Sequence, residues 1–332
     1  MASEAFRVPN SKRGFVPRVS VVIPTFNCAT YLPRAIDSVL SQSYKDLEIL
    51  VVDDGSTDDT VDQISHYTKH IRYVYQENEG ASAARNRAVE MSTGEYIAYL
   101  DADDVWYPQK LERQVAYLDR DMECGLVHSE VCVIDEQDEI LHHQFNSETA
   151  RSVPQGSCLL QLLQHSHIQT LTVVERRDCF EKVGGFDKRL PIAQDYMHWI
   201  RIALEGWKFG YIEEPLAKYR WRRGSLMASK RRLLEDYERI YSSLLNETSL
   251  GNRHGKHAIE TVEKRIISVQ RELAGVDYAE GRNATARRRL AWLIQRSPLT
   301  PRLYLDLLKA CLHPSLHAKL RAFRGMSARA IC

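Results

Sequence analysis

Tyr96-Ile97-Ala98-Tyr99-Leu100-Asp101-Ala102-Asp103-Asp104 runs apolar and then breaks into three carboxylates. The pattern reads as a buried strand that delivers acid to the edge of a sheet. Asp101 and Asp103 stand two apart, so in extended backbone they point to the same side, where their oxygens could hold a hard cation. Taken alone, the pair reads more readily as a solvated turn, because Asp is a favoured loop residue.

A second strand carries the same punctuation. Asp46-Leu47-Glu48-Ile49-Leu50-Val51-Val52-Asp53-Asp54-Gly55-Ser56 again ends in acid, and Thr57-Asp58-Asp59-Thr60 follows as a helix start. Upstream, Val19 to Ile23 reads as a strand closed by Pro24-Thr25-Phe26-Asn27, and Tyr31 to Gln42 as a helix with Tyr31, Ala35, Val39 and Leu40 on its apolar side. Downstream, Ile71 to Tyr75 gives a third strand, Asn78-Glu79-Gly80 a turn, and Ser82 to Met91 a helix with Arg85 and Asn86 near its start. Strands alternating with helices imply right-handed crossovers and an α/β fold with a largely parallel sheet. Ligands of such sheets sit outside the carboxyl ends of the strands, so Asp53, Asp54, Asp101 and Asp103 are expected to share one crevice. Clustered acid needs a cation or hydrogen-bond donors beside it. A divalent metal, or the donor edges of a nucleotide base and ribose, would serve.

In order and spacing, Ser20-Val-Val-Ile-Pro-Thr-Phe-Asn27, Val52-Asp-Asp-Gly-Ser-Thr-Asp58, Asn78-Glu-Gly80 with Ala84-Arg-Asn86, and Leu100-Asp-Ala-Asp-Asp104 resemble the inverting family 2 glycosyltransferases of GT-A fold. The resemblance implies a GT-A, Rossmann-like nucleotide-sugar domain with a mainly parallel central sheet. It implies nucleotide contacts from Pro24, Thr25, Asn27, Asp53, Asp54, Asn78, Arg85 and Asp101, with Asp54 accepting from the base and Asp101 from the ribose. Ser56 or Asp58 is expected to cap the following helix from the same loop. Asp103, with Asp101, would hold Mg²⁺ or Mn²⁺, whose charge would offset that of the departing diphosphate.

Val183-Gly184-Gly185-Phe186-Asp187 and Pro191-Ile-Ala-Gln-Asp195-Tyr-Met-His-Trp199 resemble the family's Gly-Gly-Phe-Asp and Glu-Asp segments, which makes Asp195 the expected general base. Gln194 stands where Glu is usual, removing a like charge that would raise the Asp195 pKa. The plainer alternative makes Asp195 the N-cap of a helix from Tyr196 to Leu204. His198, on the same helix, reads as a surface or packing residue. Tyr219-Arg220-Trp221-Arg222-Arg223 resembles a segment that often reads Tyr-Arg-x-His. Arginine cannot ligate a metal but pairs with phosphate oxygens, so Arg222 and Arg223 are expected at the diphosphate.

Residues 225–332 change character. Leu233, Tyr237, Ile240 and Leu244, then Ile259 to Leu273, Leu290 to Ile294 and Leu303 to Leu312 keep helical spacing, with Gly251, Gly275, Gly281 and Pro298 as separators. These stripes are expected to pack rather than bind. The expected division is a polar extension over 1–17, the catalytic domain over 18–224 and a basic α-helical region over 225–332. That last region holds 20 Lys/Arg against 10 Asp/Glu, a net +10, whereas residues 1–224 hold 25 against 34, a net −9. Arg287-Arg288-Arg289 and Lys319, Arg321, Arg324 and Arg329 could draw the chain to an anionic membrane surface, or dock it on acid.

No apolar run reaches the length of a membrane span, residues 1–18 are polar and basic, and the 7 cysteines show no paired spacing. A cytoplasmic enzyme with reduced thiols is expected, peripheral at the inner face of the membrane if the basic tail engages lipid. Its expected partners are a nucleotide-sugar donor, most simply a UDP-sugar, and a glycan or lipid-linked acceptor in surface polysaccharide or glycoconjugate biosynthesis, with no nucleic acid. Two other readings stay open. A metal-dependent nucleotidyltransferase would also use acid on an α/β sheet, although Pro24-Thr25-Phe26-Asn27 is not a Gly-rich phosphate loop. Gln194 and Arg222 make a silent nucleotide-binding scaffold conceivable.

Overall fold

The computed structural model describes residues 16–149, 153–164, 168–222, 229–246 and 248–311. They divide into two compact units, Met1–Ala228 and Ser229–Cys332. The first unit begins β1 (Val19–Thr25), α1 (Leu32–Leu40), β2 (Leu47–Asp53), α2 (Thr60–Gln63), β3 (Arg72–Tyr75), α3 (Ala81–Met91) and β4 (Tyr96–Tyr99). It continues through β5 (Val105–Trp106), α4 (Lys110–Arg120), β6 (Cys124–Ile134), β7 (Ile140–His142), α5 (Phe145–Thr149) and α6 (Leu159–Gln164). A 3₁₀ turn at Thr170–Thr172 precedes β8 (Val174–Arg176), α7 (Arg177–Val183), α8 (Gln194–Leu204) and β9 (Lys208–Arg220).

The strands form one sheet in the order β3-β2-β1-β4-β8-β6-β9-β5, with β7 beside β6. β3, β2, β1 and β4 are mutually parallel, and the register pairs Thr25 with Asp53 and Asp53 with Tyr75. Thr25, the acid after β2 and the acid after β4 therefore lie along one edge. All seven residues of β1 are buried, as expected of a parallel strand covered on both faces. β8 runs antiparallel to β4 and to β6, and β6 pairs in parallel with β9. The sheet is thus largely parallel, with antiparallel insertions in its second half.

The second unit holds α9 (Lys230–Asn246), α10 (Thr248–Ala279), α11 (Asn283–Arg296) and α12 (Pro301–Cys311). Gly251 and Gly275 do not separate helices, contrary to the glycine pattern. Both lie within α10, whose backbone breaks at Gly255, with φ 77°. Gly281, also at φ 77°, does end α10, and the Arg282 N–H reaches the Asp277 carbonyl at 2.8 Å to close the last turn.

Arg287 donates to the Ala310 carbonyl, and Arg289 pairs with Asp277 and Glu238 at 3.0 and 2.9 Å. Of the triple-arginine run, Arg289 is therefore spent on acids inside the helical unit, whereas Arg287 and Arg288 stay exposed. Lys319, Arg321, Arg324 and Arg329 lie outside the described residues. Among the described residues, no helix is long and apolar enough to cross a membrane.

Asp277 is buried and also meets Arg231 and Arg282 at 2.8 and 3.1 Å. Burial pushes its carboxyl up, but the hydrogen bonds and charges of Arg231 and Arg289 outweigh burial and hold it below the usual range. A carboxylate depressed on folding stabilises above its unfolded pKa and loses that contribution as pH falls through its folded value. Asp277→Asn should cost about 2 kcal/mol near neutral pH, the scale of hydrogen bonds to a charged group. The deficit should shrink in acid, as read by urea denaturation across that range.

Candidate active site

The loops after β1 and β2 are zipped together. Asn27, in the left-handed region at φ 48°, accepts from the Thr57 N–H at 2.8 Å, while its own N–H donates to Ser56 Oγ at 2.9 Å. Asp58 receives the Ala29 N–H at 3.0 Å, so Asn27 and Asp58 both hold loop to loop. Pro24 is buried within β1. Thr25 is buried beside them, and its Oγ1 has no hydrogen-bond partner among the described residues. A buried hydroxyl left open at this edge suits a ligand donor or acceptor.

Asp53 accepts from the Ser56 N–H and the Tyr73 hydroxyl, at 2.8 and 2.7 Å. Asp54 takes three donors from the segment between β3 and α3: Gln76 Nε2 at 2.7 Å, the Glu79 N–H at 2.9 Å and the Gly80 N–H at 2.8 Å. A carboxylate has about four acceptor sites, so one remains for a base N–H. Gly55 has φ 84°, and a Cβ there would stand 2.9 Å from the backbone nitrogen of Asn78. Asn78 itself is exposed at the lip of the crevice.

The strand β4 ends at Tyr99, and the Asp104 N–H closes a turn onto the Asp101 carbonyl at 3.1 Å. The backbone is therefore not extended from Asp101 to Asp103, and the turn sends the two acids to different partners. Asp101 pairs with the Arg85 guanidinium, whereas Asp103 pairs with Arg222 at 2.5 Å. The Arg220 and Arg222 guanidinium carbons both stand over the Tyr31 ring, at 4.9 and 5.3 Å. Cys28 faces the Asp103–Arg222 pair, and burial, with Asp103 adding to it, pushes its thiol up to about 12, so it stays protonated.

Arg85, expected at the nucleotide, is almost wholly buried and reaches the crevice edge through Asp101. It bridges Asp101 to the Gln194 side-chain oxygen, which accepts from Arg85 and from Ser82, each at 2.9 Å. Gln194 is the first residue of α8 and Ala193 its cap, so Asp195 lies one residue inside the helix rather than capping it. Thr170 donates to Asp195 Oδ2, and the Tyr196 N–H to Oδ1, both at 2.7 Å. Burial raises the Asp195 carboxyl above the usual aspartate range, while Thr170, Arg85 and the Tyr196 N–H pull it back. Asn86 fastens the preceding loop by bonding both backbone groups of Phe186, at 2.8 and 2.9 Å. Gly185 is required there, since a Cβ would meet Asn86 Oδ1 at 2.5 Å.

The profile of the family described as Glycosyl transferase family 2 matches residues 20–180. An uncharacterized glycosyltransferase of Rickettsia typhi is 33% identical over 234 residues, spanning 70% of this chain and 73% of its own. The chain belongs to glycosyltransferase family 2. Its fold is also that of TarS 1–349 of Staphylococcus aureus, with TM-score 0.62 and 19% identity over 88% of each chain. TarS has been solved with UDP and with UDP-GlcNAc. The mannosyltransferase PcManGT of Pyrobaculum calidifontis, solved with GDP-Man and Mn²⁺, gives TM-score 0.56 and 21% identity over 90% of this chain and 86% of its own.

The two acids expected to hold a metal meet arginines instead. The carboxylates of Asp101 and Asp103 are each engaged by a guanidinium, and among the described residues no group of three or more His, Cys, Asp or Glu is placed to hold an ion. The side chains present therefore do not fit the expected Mg²⁺ or Mn²⁺. Arg223 lies outside the described residues. His198 is buried on Glu175, which also accepts from Tyr99, so it serves packing. Tyr31, Tyr73, Gln76 and Thr170 were not legible as site residues. Thr170 stands 25 residues from the carboxylate it holds, with no motif around it.

Proposed function

We propose that this chain is an inverting transferase that moves a sugar from a nucleotide-diphosphate donor, most simply a UDP-sugar, to a hydroxyl of a glycan or lipid-linked acceptor in surface glycoconjugate assembly. The observation that carries the reading is Asp195: a carboxylate raised by burial, oriented by Thr170 and the Tyr196 N–H, and within reach of the charge of Arg85, the arginine paired with Asp101. In this reading Asp195 takes the acceptor proton as the acceptor oxygen bonds to the anomeric carbon. The bond from that carbon to the phosphate oxygen breaks on the opposite face, its electron pair leaving with the nucleoside diphosphate. Thr25, Asp53, Asp54 and Asn78 line the base end, and Asp101 the ribose. TarS, whose fold this chain shares, has been solved with UDP, which supports a nucleotide donor for this fold, and the Mn²⁺ of the mannosyltransferase belongs to that protein. The same reading places the chain in the cytoplasm.

Screening UDP-, GDP-, dTDP- and CMP-sugars by thermal shift, then assaying turnover, tests it. One nucleotide class should stabilise the chain, with release of nucleoside diphosphate once an acceptor is supplied. Release of pyrophosphate would point instead to nucleotidyl transfer. Binding without any release would point to a silent scaffold.

A further inference from the structure

We infer that Arg222 takes the place of the divalent cation, so that this enzyme handles its diphosphate leaving group without a metal. The inference rests on the donor reading above and adds to it how the leaving charge is met.

Three observations meet at one side chain. Arg222 is paired to Asp103, the carboxylate on which the family resemblance would put the ion. It lies over the Tyr31 ring, which fixes the guanidinium from a second direction. Its Nε is buried and has no partner among the described residues, a donor still unspent after the carboxylate has been satisfied. A guanidinium cannot be deprotonated in a protein. A divalent ion at Asp103 would therefore have to displace a fixed like charge or sit against it.

The other candidate ligand is closed by the same device. Asp101 is held by Arg85, itself buried and anchored to Gln194. Each acid thus arrives neutralised by its own arginine, and an incoming cation meets no net negative charge from the pair. A diphosphate meets the reverse: a planar fork whose donors match phosphate oxygens. When the bond from the anomeric carbon to the phosphate oxygen breaks, the electron pair passes to the β-phosphate, and the Arg222 charge stabilises it. No redox change or additional reactant is needed.

The test uses the full chain. Mn²⁺ is titrated by electron paramagnetic resonance with and without UDP, against UDP–Mn²⁺ in buffer as background. UDP affinity is then measured in EDTA and in excess Mn²⁺. The expected result is no protein-bound Mn²⁺ and the same UDP affinity in both conditions. Arg222→Ala should weaken UDP by about tenfold or more, the scale of one charge-assisted contact. Arg222→His, which frees Asp103 and offers a ring nitrogen, should gain Mn²⁺ uptake, with thermal unfolding confirming that both variants fold. Stoichiometric Mn²⁺ on the wild-type chain that Asp103→Asn removes, or UDP binding only with Mn²⁺, overturns the inference. Failure of UDP, GDP, dTDP and CMP alike to bind in either condition removes the donor reading, and this inference with it.

Discussion

Asp195→Asn lowers turnover by about 10²- to 10⁴-fold while donor binding is kept, the loss attributed to a positioned base. The substitution is nearly isosteric. The amide oxygen can keep the Tyr196 N–H while the Thr170 hydroxyl turns to accept from the amide NH2, so the site should keep its shape. What disappears is the ability to accept the acceptor proton. The pH profile separates this from a positioning defect. A base works deprotonated, and burial raises Asp195, so wild-type kcat should rise with pH through a limb above the usual aspartate range and then level off. In the variant the residual rate should lose that limb. Wild-type turnover, or an unchanged limb, would take the role from Asp195.

Asp54→Ala should both abolish nucleotide binding and cost about 3 kcal/mol of stability, because it strands three donors that now share one carboxylate. Gln76 Nε2 and the Glu79 and Gly80 N–H groups all end on Asp54, and Gly80 is the cap of α3. Water can enter the space left by the side chain and recover part of the loss, which keeps the figure below the sum of three full penalties. Urea denaturation reads the stability, and thermal shift with UDP reads the pocket. A variant of wild-type stability would mean that Gly55 and Asn78 hold this segment without the acid.

The first half of the sheet was legible because its physics is local. The strands β1, β2 and β4 are apolar runs whose burial needs no partner identity to infer, and each ends in residues that cannot stay in a core. The second half hides its strands. His128, Ser129 and Glu130 are fully buried in the middle of β6, held by partners such as Pro154, Asn146 and Ser147 that no periodicity predicts. The strand β9 carries Lys208, Glu213, Glu214 and Lys218 and reads as surface. In the helical unit, Gly251 and Gly275 looked like stops, but the cost of a helical glycine is only about 1 kcal/mol and packing overrides it. At the site, the residue types were readable but their pairings were not. Arg85 ties Asp101 to Gln194, a partner 109 positions away that no local pattern announces.

The pairing of β5 and β6 with β9 joins segments far apart in the chain. The Arg220 N–H reaches Asp104 across 116 positions, and β6 gains its parallel neighbour only once β9 has been made. Contacts of such sequence separation form late, since the intervening loop must close before they repay its entropy. On a ribosome, the strands that carry Thr25, Asp53 and Asp54 emerge well before the segment that carries Arg222. A nascent chain halted ahead of β9 would hold the pocket for the donor's base without the arginine assigned to its diphosphate, so binding should mature in two stages during synthesis.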